Sequence, residues 1–164
     1  DTAIVKMARR AREAREPLAL VIADVDHFKN FNDRWGHQTG DQVLRLVAEV
    51  MNANVKGQDL LARYGGEEFA ILLPGTTLEN AEMLADRIRR AIESRRLKKR
   101  RTDEDLGVIT MSMGVALHRP GETPETLVER ADECLYAAKR GGLNQGVTES
   151  NAPAQASGRI ERRA

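Results

Sequence analysis

Residues 18–23 read Leu-Ala-Leu-Val-Ile-Ala, an apolar run with no polar break. A strand with one wet face alternates apolar and polar side chains. A run without alternation is what a strand covered on both faces looks like. The run ends in Asp24-Val25-Asp26. Aspartate disfavours strands, and a carboxylate at the end of a buried strand is costly unless something pairs with it.

The rest of the chain supplies the cover. Residues 2–15 read as an exposed basic helix, with Ile4, Val5, Met7, Ala8 and Ala11 on one side and Lys6, Arg9, Arg10 and Arg12 around it. Residues 40–53 are apolar at 43, 44, 46, 47, 50 and 51, an amphipathic helix. Thr76 with Glu79 suggests a capping box, opening a helix that turns Leu78, Ala81, Leu84, Ala85, Ile88 and Ile92 inward. Residues 108–117 are rich in strand formers. Thr123-Pro124 reads as an N-cap followed by proline at the first helical position, and Gly141-Gly142 as the stop of that helix. The order is helix, strand, helix, two hairpin strands, helix, strand, helix. It predicts an α/β (α+β) domain with a mostly antiparallel central sheet.

At 164 residues the chain can build one domain with a real core. A net charge of +1 gives no general case for nucleic-acid binding. The single cysteine, Cys134, excludes an internal disulfide, fits a reducing compartment and reads as core packing. No apolar run reaches the roughly 18 residues of a membrane span, and no signal peptide is evident. The basic run at 95–101 is followed at once by Asp103, Glu104 and Asp105, and reads as a solvated face. From about 147 the composition shifts to Thr, Ser, Asn, Pro, Gln and Ala, so 1–146 is read as the domain and 147–164 as a flexible tail. Because the chain begins with Asp, it is expected to be a piece of a longer protein.

Two short apolar runs, Leu60-Leu61-Ala62 and Phe69-Ala70-Ile71-Leu72-Leu73, flank Arg63-Tyr64-Gly65-Gly66-Glu67-Glu68. They read as a β-hairpin with the glycines at its turn, where positive φ or close approach of another group is easy. A plain solvated hairpin would give the same glycines, but it does not require two adjacent carboxylates. If the 18–23 strand lies beside this hairpin, Asp24 and Glu67 can converge. Two carboxylates with a main-chain carbonyl make a hard-oxygen site suited to Mg²⁺, which usually works with substrate phosphates.

Gly65-Gly66-Glu67-Glu68-Phe69 resembles the GGDEF motif of diguanylate cyclases, in the variant with Glu third. Four further blocks resemble the same family in order: residues 24–33, residues 36–41, residues 110–116, and the set Ala131-Asp132, Leu135-Tyr136, Ala138-Lys139 and Gly142-Leu143-Asn144. The resemblance runs from roughly residue 15 to 146. It implies a five-stranded sheet flanked by helices, like the palm of nucleotide cyclases and polymerases. It implies condensation of two GTP molecules into cyclic di-GMP with release of two pyrophosphates, each 3′-hydroxyl attacking the other α-phosphate across a homodimer. It implies Mg²⁺ (or Mn²⁺) held by Asp24, the Val25 carbonyl and Glu67. Glu67 is also the expected proton acceptor, with Glu68 supporting the metal or positioning Glu67. Lys29 is expected at the triphosphate, beside the amides of the turn through Phe28. Asn32 and Asp41 are expected to read guanine, His37 to lie near the same pocket, Gly66 to admit the substrate, and Lys139 to reach the β- and γ-phosphates.

Three departures qualify the resemblance. The family usually has arginine where this chain has Leu143, which predicts weaker GTP binding. Its product-inhibition motif Arg-x-x-Asp is here Lys56-Gly57-Gln58-Asp59, and lysine lacks arginine's bidentate fork. Arg63 and Arg87 match positions that take part in inhibition in some relatives. The family's usual Asp-x-Leu-Thr-Gly-Leu segment is missing at the start. The expected whole is a cytoplasmic output domain of a bacterial signalling protein, with an N-terminal sensory or receiver domain and no nucleic-acid or membrane contact of its own. The alternative is a catalytically weak module that binds GTP or cyclic di-GMP.

Overall fold

The computed structural model describes residues 2–99 and 101–150. In chain order it contains α1 (Thr2–Ala14), β1 (Leu18–Val25), α2 (Phe28–Trp35), α3 (His37–Asn54), β2 (Leu60–Arg63), β3 (Glu68–Pro74) and α4 (Leu78–Glu93). Then come β4 (Arg96–Lys98), β5 (Asp105–Val108), β6 (Met111–Leu117), α5 (Pro124–Arg140) and β7 (Gly146–Thr148). Five strands form one sheet in the order β2-β3-β1-β6-β7. All pairs are antiparallel except β6–β7. This is the mostly antiparallel sheet that the sequence predicts.

β1 is the central strand and every residue of it is buried. Successive side chains leave a strand on opposite faces. Ala19, Val21, Ala23 and Val25 enter one core with residues of α3 and α4; Leu18, Leu20 and Ile22 enter another with α1 and α5. That alternation sends Asp24 to the α5 side. Contact there is intimate at Gly114, where a Cβ would collide with the Ala131 carbonyl and the Leu135 amide. Only glycine lets α5 lie this close to β6.

Several boundaries differ from the sequence expectation. The cap of α4 is Thr77, whose Oγ1 accepts from the Asn80 amide at 3.2 Å; Thr76 donates instead to the Pro74 carbonyl. The strand expected over 108–117 is broken at Ile109-Thr110, where the chain passes from the β4–β5 ribbon into the main sheet. The basic run begins after α4 ends and places Arg96–Lys98 in a two-stranded ribbon with β5. Arg96 pairs with Asp105 at 3.0 Å and Lys98 with Asp103 at 3.9 Å, so the adjacent acids balance this solvated face. Val147 and Thr148, expected in the tail, are buried in β7, held by parallel pairing to β6. Residues 151–164 lie outside the described residues.

Candidate active site

The register of the sheet builds the acidic cluster. Asp24 on β1 is directly opposite Glu68 on β3, and the Val25 amide donates to the Glu67 carbonyl at 3.4 Å. Asp24, Val25, Glu67 and Glu68 therefore meet at one end of the β1–β3 pair, as expected. Asp24 is 7% exposed. Its Oδ2 accepts from Lys139 Nζ at 2.8 Å, while its Oδ1 is buried without a partner. Lys139 comes from the last turn of α5, the helix that covers the Asp24 side of the sheet.

All three carboxylates are held above their ordinary range. Burial is the main cause for Asp24; Lys139 opposes it through its hydrogen bond and charge, and Asp26 adds to the rise. For half-buried Glu67 the causes are burial and then the Asp24 charge, again opposed by Lys139. For Glu68 burial comes first, followed by the charges of Asp24, Asp132 and Glu67. Like charges at one site disfavour ionisation, and a cation favours it. Lys139 is the cation that opposes the rise at all three carboxylates.

These residues fit a hard divalent cation. The orphaned Oδ1 of Asp24 is a buried acceptor that an oxygen-seeking ion would satisfy. Among the described residues no group of three or more His, Cys, Asp or Glu side chains is arranged to hold a metal. The expected set needs only two carboxylates and a carbonyl, with substrate phosphates and water completing the shell, as Mg²⁺ sites commonly do.

Beside the cluster lies a cleft of about 400 Å³ lined by Phe28, Asn32, His37, Asp41, Leu44, Arg63 and residues 65–68. It gathers the residues expected at the guanine end with both motif carboxylates. Asn32 Oδ1 is buried without a partner, and a Cβ on Gly40 would collide with it. His37 and Asp41 are exposed one turn apart at the start of α3. Phe28 is buried and stacks on Phe31 with ring centroids 6.5 Å apart. α2 begins at His27, whose left-handed backbone (φ 55°) places no side-chain cap on the helix amides. Lys29 is exposed on the first turn of α2 and, like Lys139, does not line the cleft.

The motif turn differs in one respect from its sequence reading. Neither Gly65 nor Gly66 has positive φ. A Cβ on Gly66 would meet nothing within the protein, whereas one on Gly65 would lie 3.3 Å from Glu68 Oε2. Openness toward the cleft, rather than a left-handed turn, distinguishes Gly66. The turn is closed by the Tyr64 amide on the Glu68 carbonyl (2.9 Å) and by Arg63 Nη2 on the Gly66 carbonyl (2.5 Å). Lys56 and Asp59 form their own turn, the Lys56 amide donating to Asp59 Oδ2 at 3.1 Å and the Asp59 amide to the Lys56 carbonyl at 3.0 Å. Arg87 is exposed on α4. Leu143 takes a left-handed backbone (φ 67°), rare for a bulky residue.

The model of the diguanylate cyclase GGDEF domain matches residues 1–145. The diguanylate cyclase VdcA of Vibrio cholerae serotype O1 is 40% identical over 132 residues, covering 80% of this chain and 39% of that protein. The response regulator PleD of Caulobacter vibrioides is 42% identical over 142 residues, covering 86% of this chain and 31% of that protein. This chain thus spans well under half the length of these curated relatives. The crystal structure of the GGDEF domain of DgcB from Caulobacter crescentus, in complex with c-di-GMP, superposes with a TM-score of 0.88 at 45% identity, covering 90% of this chain and 86% of that one. With a family match that runs through the sheet, the acidic cluster and the cleft alike, this chain belongs to the GGDEF family of diguanylate cyclase domains.

Proposed function

We propose that this domain condenses two GTP molecules into cyclic di-GMP and two pyrophosphates, acting as one half of a homodimer. The observation that carries the reading is the convergence of Asp24 and Glu67 beside a cleft lined by Asn32 and Asp41. An aspartate carboxylate accepts from the N1–H and N2–H₂ edge of guanine, a donor pair that adenine lacks. Asn32 pairs with another edge of the same ring, Phe28 and His37 bound the pocket, and the bare Gly66 lets nucleotide approach the turn. Asp24, the Val25 carbonyl and Glu67 would hold Mg²⁺ or Mn²⁺. A divalent cation bound there would polarise the α-phosphate and ease deprotonation of the 3′-hydroxyl. Glu67, whose proton affinity is already raised, accepts that proton, and Glu68 keeps Glu67 in place. Lys29 and the first amides of α2 meet the triphosphate.

Lys139 has two partners to serve. Its ammonium pairs with Asp24 in the structure, yet its side chain is 32% exposed and can turn outward. A nucleotide triphosphate would draw it toward the β- and γ-phosphates, leaving both Asp24 oxygens to a cation. Leu143 cannot add a second contact there. A hydrogen bond to a charged group is worth about 1.5–3 kcal/mol, so GTP binds more weakly than with arginine at that place.

One domain binds one GTP, so two must face each other for turnover. We assign control of that encounter to an N-terminal regulatory domain in a longer protein, in the manner that PleD is a response regulator, and we place the domain in the cytoplasm. No helix among the described residues is long and apolar enough to cross a membrane. Lys56 and Asp59, with Arg63 and Arg87, are the proposed remnant of a product-inhibition site, weakened because Lys56 lacks a guanidinium fork. A second reading, a module that binds GTP or cyclic di-GMP without turnover, draws support from Leu143 and Lys56.

The test is GTP turnover with Mg²⁺, followed by product chromatography at several protein concentrations, with Glu67→Ala alongside. Cyclic di-GMP rising more than linearly with protein, and absent in the variant, supports a dimeric cyclase. Nucleotide binding without product at any concentration selects the binding module.

A further inference from the structure

Asp26 has no part in the chemistry above, yet it is among the most heavily bonded side chains in the domain. It is 4% exposed. Its Oδ1 accepts from Ser112 Oγ at 2.6 Å, and its Oδ2 from Thr110 Oγ1 at 2.7 Å and from the Asn144 amide at 2.9 Å. Its own amide donates to the Thr110 carbonyl at 2.9 Å. A buried carboxylate is tolerated only with such compensation. Three chain segments are tied together here: the turn from β1 to α2, the break before β6, and the turn after α5.

The neighbours of Asp26 give the knot its meaning. On one side is Val25, the expected carbonyl ligand. On the other is His27, in the left-handed conformation that starts α2. Neither residue can shift without moving Asp26. Asn144 itself is left-handed (φ 47°), an uncommon backbone for a residue with a side chain, and needs support. Its Oδ1 accepts from Arg89 Nη1 at 2.9 Å and its Nδ2 donates to Glu93 Oε1 at 3.1 Å, both from α4. The Arg89 side chain is only 14% exposed and is fixed by Asp86 at 2.7 Å.

We infer that Asp26 is a positioning residue: it sets the Val25 carbonyl and the start of α2 in place, and through Asn144 it ties that geometry to α4. The inference rests on the reading of Asp24, Val25 and Glu67 as a cation site. It gives α4 a direct mechanical line to that site.

The experiment measures Mn²⁺ binding by electron paramagnetic resonance of the free ion, in the presence of a GTP analogue with a non-hydrolysable α,β-methylene bridge. Wild type, Asp26→Asn and Asn144→Ala are compared, with melting temperatures in parallel. Loss of a residue that orients a metal ligand typically weakens metal affinity roughly 10–100-fold. The Asp26→Asn variant is expected in that range and Asn144→Ala at about threefold or more. In turnover, kcat falls and the KM for GTP rises with it, because the start of α2 that Asp26 holds carries Phe28, which lines the cleft, and Lys29. Mn²⁺ affinity within twofold of wild type in a folded Asp26→Asn variant overturns the inference and leaves the cation site standing. If that variant does not fold, Thr110→Val and Asn144→Ala decide, and twofold or smaller changes in both overturn it. A wild-type domain that takes up no Mn²⁺ removes the cation site and this inference with it.

Discussion

Asp24 and Glu68 face each other across the β1–β3 pair, two carboxylates where a sheet would normally place opposite charges or apolar residues. Directly opposed like charges destabilise a sheet, by up to about 1 kcal/mol on the scale of cross-strand pairs. Burial is the main cause that raises Glu68, followed by the charges of Asp24, Asp132 and Glu67, with Lys139 opposing them. Glu68 is also half open to water, which screens part of this cost. Replacing Glu68 with Gln removes the charge and keeps the shape, so the ligand-free domain gains roughly 0.5–1 kcal/mol. At this size that is about 1–4 °C in Tm. The pH dependence follows from the direction of the shift. Because the folded value is raised above the ordinary 4.5, the unfolded chain loses its proton first as pH rises. Wild-type stability therefore falls between 4.5 and the raised folded value, and the full penalty is present above it. Thermal melts of both proteins in EDTA, from pH 4.5 to 8, should diverge upward with pH and converge at the acid end. A Glu68→Gln variant that melts at or below wild type at pH 8 would refute the reasoning, since it would mean the carboxylate is held by favourable contacts instead of opposed by its neighbours.

Other substitutions test other parts of the structure. Gly114→Ala pushes a methyl group into the backbone of α5 and should cost about 3 kcal/mol in urea unfolding. Thr77→Ala should cost about 1 kcal/mol by loss of the α4 cap, and Thr76→Ala less than half of that. Arg130→Met should cost about 3 kcal/mol, because Arg130 bonds both Glu122 oxygens and the Leu117 carbonyl from a site 12% exposed. Burial pushes Glu122 up, but the hydrogen bonds from Arg130 and the Arg119 amide outweigh it and leave it below its ordinary range. The stability this pair contributes is present above the ordinary Glu value of 4.5 and lost as pH falls through the lowered folded value, so the cost of Arg130→Met should shrink in acid melts. Lys139→Met should raise the KM for GTP roughly tenfold or more in steady-state turnover, the equivalent of one charge-assisted contact.

Much of the fold was legible because its signals are local and strong. The unbroken run at 18–23 identifies the central strand, and the i, i+4 spacing at 43–51 identifies the helix that covers it. The meeting of Asp24 with the hairpin carboxylates was legible because a carboxylate closing a buried strand needs a partner, and the hairpin is the neighbour the strand order offers. What stayed hidden depends on partners distant in sequence. Asp26 spells the same as Asp24, and only the fold reveals that its donors come from Thr110, Ser112 and Asn144. Lys139 reads as a phosphate lysine; that it meets Asp24 follows from strand parity and the docking of α5 at Gly114. β4 and β5 are masked by a charge run, since each is too short to show a period, and the bends at Asp103 and Gly107 carry no apolar signal. β7 is three residues at the edge of a polar tail, and its strand character comes entirely from β6.

That last strand has a practical consequence for anyone trimming the chain. The family match stops at 145, which makes the following residue a natural place to cut. Such a cut would strip β7 from Met113, Gly114 and Val115 and turn the buried β6 into an open edge. An apolar strand with unpaired amides and carbonyls is a template for joining other chains edge to edge. It would also remove Glu149, which Arg130 and Arg119 grip from the far side. Three residues with no chemistry of their own thus stand between the longer, apolar β6 and the edge of the sheet.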